Sequence, residues 1–113
     1  MSKRQPKLLI GDILEAAEKI KKYTANLSFD SFLEDSRTAD AVIRNFEIIG
    51  EAARRLPNSF KNSYPKIDWL RIIGFRNRIV HDYMGIDYKI VWAIVEKNID
   101  ELIEDLNKIF KEL

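Results

Sequence analysis

Apolar residues recur at intervals of three and four along most of the chain, the spacing that lines one face of a helix. Leu9, Ile10, Ile13, Leu14, Ala17 and Ile20 set the first stripe and predict a helix from about Pro6 to Tyr23, with Pro6 suited to its first turn. A polar stretch from Thr24 to Ser28 separates it from Phe29–Glu34, which reads as a short helical turn. Val42, Ile43, Phe46, Ile49, Ala53 and Leu56 predict a second long helix, starting near Ser36 or Thr38 and stopped at Leu56-Pro57. A third helix opens after Pro65 with Asp68 near its N-cap. It carries Trp69, Leu70, Ile72, Ile73 and Phe75, then runs on until Gly85 breaks it. Asp87 is placed to cap the last helix, whose stripe is Val91, Val95, Ile99, Leu102, Leu106, Ile109 and Leu113. The piece from Asn58 to Pro65 is the longest expected to be irregular. No strand alternation and no repeat is present, so the expected fold is all-α, a four-helix bundle or close variant with one short extra helical turn.

Length and composition narrow the function classes. A chain of 113 residues suits one domain, 1–113, with one core. With 46% hydrophobic and 33% charged residues it reads as a globular protein. The balance of 19 basic and 18 acidic residues argues against a histone-like nucleic-acid binder but leaves room for a local basic patch. There is no cysteine, which excludes disulfides, thiolate chemistry and cysteine-rich zinc sites. The single histidine, His81, speaks against a transition-metal site within one chain, and neither metal nor cofactor is expected. The N-terminus does not read as a signal peptide, because Asp12 interrupts the apolar run Leu8-Leu9-Ile10. No apolar stretch approaches the ~20 residues of a membrane span. The expected location is the cytoplasm.

The candidate chemistry is concentrated in Arg76-Asn77-Arg78-Ile79-Val80-His81-Asp82-Tyr83. At about 100° per residue, with Arg76 at zero, Trp69, Ile73 and Val80 fall within roughly 60° on one side and Ile72 and Ile79 within roughly 60° on the other. Arg76 therefore sits in the middle of an apolar face. Continuing the same helix puts Tyr83 beside it at about 340°, with Asn77 and His81 near the edge at about 100° and 140°. Arg71, Arg78 and Asp82 lie opposite. A guanidinium in an apolar stripe must be paired or face a site. Either Arg76 pairs with Glu47 or Glu51 of the second long helix, or the stripe's end forms a dimer seam or cleft with Arg76 aimed at an anion. His81 is the natural proton shuttle of the chain at neutral pH, although a lone helical histidine is commonly a surface residue. Arg78 and Asp82 have the spacing of an i,i+4 pair. The residues alone leave catalysis and a structural role both open.

Arg76, four residues, His81, one residue and Tyr83 resemble the Arg-x4-His-x-Tyr motif of HEPN domains, and of the HepT-like toxins in particular. Asn77 directly after the arginine, Ile49-Gly50-Glu51-Ala52-Ala53 and Ile67-Asp68-Trp69 resemble the same family, and the likeness covers nearly the whole chain. The resemblance implies a helical bundle that forms a homodimer with the two motifs meeting at the interface. It implies a metal-independent endoribonuclease, the toxin of a toxin–antitoxin pair, whose partner is a minimal nucleotidyltransferase (MNT) antitoxin. It also implies that this antitoxin can transfer AMP to Tyr83 and silence the toxin. A non-catalytic module that binds nucleotide or RNA, or serves as the substrate of the nucleotidyltransferase, is the alternative.

The residue types suit metal-free RNA cleavage. Attack of the ribose 2′-hydroxyl on its phosphate needs a base, an acid for the leaving oxygen, and positive charge on the phosphorane. His81 can act as base or acid, Arg76 can fork onto phosphate oxygens, and Asn77 can orient the imidazole or donate to phosphate. Arg71 and Arg78 can add local charge for RNA. One histidine per chain fills two proton-transfer roles most simply in a symmetric dimer.

Overall fold

The structure, a computed structural model, describes residues 5–113; the basic start of the chain, Met-Ser-Lys-Arg, lies outside them. Helix α1 (Pro6–Thr24) has Pro6 in its first turn and buries Leu9, Ile10, Ile13, Ala16, Ala17 and Ile20. Thr24 closes it by donating its hydroxyl to the Ile20 carbonyl at 2.8 Å. Asn26 then takes the left-handed conformation, φ 65°, which asparagine tolerates better than most side chains, and the chain reverses. The short helix α2 (Phe29–Glu34) is started by a reciprocal capping box between Ser28 and Ser31. Helix α3 (Ser36–Arg55) starts on Asp35, whose carboxylate accepts from the Thr38 N–H.

Two of the expected boundaries are corrected. The segment from Asn58, read as irregular, forms helix α4 (Asn58–Ser63), held onto the end of α3 by Lys61, which donates to the Ala53 carbonyl. The last helix is two: α6 (Tyr88–Lys97), capped by Asp87 as expected, and α7 (Ile99–Glu112). Asn98 between them stays in the right-handed helical region with φ stretched to −119°; its N–H still reaches Ile94 and its carbonyl still accepts from Leu102. The break is therefore a bend that leaves the apolar stripe in phase. It lets α6 turn toward α2 while α7 lies along α1.

Helix α3 is the centre of the bundle, with α1 packed on one side and α5 (Trp69–His81) on the other. Phe32 of α2 is fully buried and meets Trp92 and Tyr88 at centroid distances of 5.1 and 6.2 Å. Burying such a ring stabilises the fold by about 2–3 kcal/mol. Phe46 and Phe75, edge to face at 5.3 Å, join α3 to α5. The described residues contain helices and turns alone, so the four-helix plan holds with its fourth member bent. None of these helices is long and apolar enough to cross a membrane.

Candidate active site

Helix α5 carries the motif, and its start is set by Asp68, which accepts from the Arg71 N–H. Trp69 is buried and its indole N–H donates to the Tyr64 carbonyl at 3.1 Å, which fixes the first turn. Ile79 is buried at the other end. The inward face brings Arg76 directly over Gly50 of α3. A Cβ on Gly50 would lie 2.0 Å from the Arg76 Cβ and 3.2 Å from the Ile72 carbonyl oxygen. Only a residue without a side chain allows α5 this close.

That approach decides what Arg76 can reach. Its Nη2 lies 2.9 Å from Glu51 Oε2, and its side chain is 22% exposed. Its Nη1 donates to Asn77 Oδ1 at 3.1 Å. Its Nε is buried without a hydrogen-bond partner. Glu51 is shared, because Oε1 also accepts from Arg54 at 2.8 Å and from Arg55 at 3.1 Å. Hydrogen bonding from Arg54 holds the Glu51 carboxyl below the ordinary glutamate range, with smaller help from Arg55 and from the charge of Arg76, against the opposing effect of burial. Three guanidinium groups thus share one carboxylate. Glu47, the other acid considered for Arg76, pairs instead with Arg44 at 2.6 Å. Arg44, Glu47, Glu51, Arg55 and Arg76, together with Asp12, rim an open groove of about 290 Å³.

The wheel's place for Tyr83 needs correction. Helix α5 ends at His81, because Asp82 leaves helical geometry (φ −145°, ψ 57°), and Tyr83–Gly85 forms a 3₁₀ turn. Tyr83 therefore does not lie beside Arg76. It donates its hydroxyl to Asp40 Oδ1 of α3 at 3.0 Å. This bond to a carboxylate raises the Tyr83 pKa, with the charge of Asp40 adding to it. Sequence reasoning missed Asp40, since the contact exists only because the helix stops two residues before Tyr83. Arg54 and Arg55 were missed as well; their signal was two basic residues in the last turn of a helix.

The motif's remaining members face outward. Asn77, Arg78 and His81 are exposed. The His81 imidazole makes no hydrogen bond or ion pair with any described residue, and the Arg78–Asp82 pair that the spacing allows does not form. One chain thus joins Arg76, Asn77 and Glu51, and leaves His81 one turn beyond Asn77 on open surface.

A sequence model of the HepT-like ribonucleases matches residues 13–109. The chain belongs to the HepT-like ribonuclease family. It is 38% identical over 113 residues to a Methanocaldococcus jannaschii protein named "Putative RNase", covering 100% of this chain and 93% of that one. A second protein of that organism with the same description is 40% identical, covering 100% and 97%. "Probable ribonuclease HepT" of Thermococcus cleftensis is 39% identical over 109 residues, covering 96% and 99%. No solved structure matches the chain.

In this HepT-like ribonuclease the outer face of α5 has an unusual makeup. Leu70 is 85% exposed, and a Cβ on Gly74 would meet nothing within 4 Å. Leu70, Gly74, Asn77 and His81 follow one another at four, three and four residues, so they share a single stripe. Val80 borders it, 42% exposed, and Met84 beyond the helix end is 93% exposed. His81 therefore stands on a partly apolar surface with a glycine at its middle.

Proposed function

We propose that the protein is a metal-independent endoribonuclease that works as a homodimer. The observation that carries this reading is the division of the motif: Arg76 is fixed inward by Glu51, while His81 stands free on an exposed face containing Leu70 and Gly74. Pairing two such faces across a two-fold axis would cover Leu70 and bring both copies of His81 to one cleft. One imidazole takes the 2′-hydroxyl proton, the other protonates the leaving 5′-oxygen, and the 2′-oxygen displaces it at phosphorus. Arg76 holds the phosphorane charge. Asn77 receives Arg76 at its Oδ1, which turns its amide nitrogen outward as a donor to the imidazole or to phosphate. Arg71 and Arg78, on the opposite side of α5, can add contacts to the RNA backbone as far as the cleft extends.

The biological setting we propose is the cytoplasm, where the protein acts as the toxin of a toxin–antitoxin pair and an MNT-type nucleotidyltransferase is its antitoxin. Tyr83 is the proposed AMP acceptor. It is 49% exposed in a turn that a second enzyme can approach. The ion pair of Arg76 with Glu51 favours one competing reading, in which the motif is structural and the protein binds nucleotide or RNA without cutting it. The test is digestion of labelled RNA in EDTA by wild type and by His81→Ala. The expected result is cleavage by wild type, none by the variant, and melting temperatures within about 2 °C, since an exposed side chain contributes little to stability. Cleavage retained by His81→Ala overturns the proposal; binding without cleavage by wild type favours the competing reading.

A further inference from the structure

The turn that follows His81 makes one side-chain hydrogen bond of long reach, and beyond that turn Ile86 packs against the core. Tyr83, Met84 and Gly85 are all exposed. The backbone bonds of the turn are local, from Gly85 to Asp82 and from Ile86 to Tyr83. Across to α3, the Tyr83 hydroxyl donates to Asp40 at 3.0 Å, a bond that spans 43 positions of sequence. It joins the turn to the helix that also holds Arg76 through Glu51, so α3 adds to its packing on α5 two polar braces, Glu51 on Arg76 and Asp40 on Tyr83 beyond the helix end. Between the two braces lie Asn77 and His81. The last turn of a helix frays readily when nothing beyond it is anchored. The imidazole on that last turn makes no bond of its own that would hold it in register with Arg76.

We infer that Asp40 is a positioning residue for the ribonuclease site: by accepting the Tyr83 hydroxyl it anchors the turn after α5 and so fixes His81. Asp40 does not touch the reacting atoms. Its charge strengthens the bond relative to a neutral acceptor, and an asparagine in its place still offers an oxygen in the same position. The brace also gives modification of Tyr83 a physical consequence. An ester on the phenolic oxygen removes the proton that Asp40 accepts and sets a phosphate charge against a carboxylate. The turn is then repelled from α3, and His81 moves with it.

The inference rests on the proposed role of His81, and two readouts keep the two apart. In the first, RNA cleavage is measured for Asp40→Ala, Tyr83→Phe, the double variant and Asp40→Asn. About a 10-fold fall in kcat is expected for each single variant, with KM within about twofold. The double variant should be no slower than either single one, because the two side chains act through one bond. Asp40→Asn should restore the rate to within about threefold of wild type. In the second readout, the imidazole proton resonance of the single histidine is followed by NMR in the same proteins. Asp40→Ala and Tyr83→Phe should broaden or shift it alike, while Asp40→Asn leaves it near the wild-type position. An unchanged resonance in Tyr83→Phe, or rate losses that multiply in the double variant, overturns the inference. If wild type does not cut RNA but the resonance responds as described, the ribonuclease reading fails and the brace stands.

Discussion

Gly50→Ala separates two physical effects of opposite sign. Glycine in a helix interior costs about 1 kcal/mol relative to alanine, so propensity alone makes this substitution stabilising. Gly50 is buried inside α3, and its added Cβ would stand 2.0 Å from Arg76 Cβ and 2.7 Å from Arg76 Cγ. Carbon atoms in contact rest about 3.5–4.0 Å apart, so α5 must withdraw by roughly 1.5 Å. No rotamer change relieves this, because the obstructing Cβ is fixed to the backbone and the Ile72 carbonyl oxygen stands 3.2 Å away. Overpacking of this kind costs about 3 kcal/mol or somewhat more, and the propensity gain returns about 1. The net loss of about 2 kcal/mol corresponds to roughly 8 °C in melting temperature for a domain of this size. Gly74→Ala on α5 is the matched control, since its Cβ would meet nothing within 4 Å and propensity acts alone. Urea denaturation of both variants at a concentration low enough to avoid association is the assay. The expected order of stability is Gly74→Ala, wild type, Gly50→Ala. A Gly50→Ala protein as stable as wild type would refute the reasoning, because the helices would then not be in contact at Arg76. The same displacement draws Arg76 from Glu51, so RNA cleavage by Gly50→Ala should fall at least 10-fold even at temperatures where it stays folded.

Three further outcomes are expected. Glu51→Gln leaves Arg76, Arg54 and Arg55 without their shared carboxylate; at 27% side-chain exposure this should lower stability by about 1–2 kcal/mol, read as a urea midpoint shift at unchanged slope. The folded pKa of Glu51 is depressed, chiefly by Arg54, and that of Asp35 by its hydrogen bonds from Thr38. Their stabilisation is present above the unfolded values of about 4, and is lost as pH falls through the lower folded values. The phenols of Tyr83 and Tyr64 are shifted the other way, each by a hydrogen bond to a carboxylate, so their contribution is present below about pH 10 and is lost as pH rises through the higher folded values. Melting temperature against pH should therefore be flat between roughly pH 5 and 9 and fall on both sides; a continuous decline across the neutral range contradicts these assignments. Leu70→Glu places a charge on the exposed stripe of α5 at a side chain 85% free of contact. The chain should fold as before, but its mass by light scattering should drop to that of one chain and RNA cleavage should disappear with it.

The parts of the fold that could be read from the sequence are those whose signal repeats. Helices α1, α3 and α5 each present an apolar stripe over several turns, and Pro6, Asp68 and Asp87 mark starts with a defined chemistry. Helix α4 has six residues, with Phe60 as its main apolar contact, and its N-cap Pro57 supplies no side-chain bond. A period cannot be counted in so short a piece. The bend at Asn98 is invisible for the opposite reason: the stripe of Val91, Val95, Ile99, Leu102 and Leu106 stays in phase across it, and no glycine or proline marks the place. The site divides along the same line. Arg76 could be placed on the inward face because the wheel holds through Trp69–His81, and Glu51 was among the acids within its reach. The helical period misplaces Tyr83 because the helix ends at His81. Helical periodicity carries no mark of such an end, and the proposed site is built on one. The contact that replaced it, Tyr83 on Asp40, depends on a change of backbone direction at Asp82 and on the position of α3, neither of which is encoded in a local pattern. The motif is thus local as a string of residues and non-local as a device. Its arginine is set by a glycine and its tyrosine by a carboxylate, both on α3 and ten residues apart in sequence, so substitutions at Gly50 and Asp40 should disturb the site although they lie far from the motif in sequence.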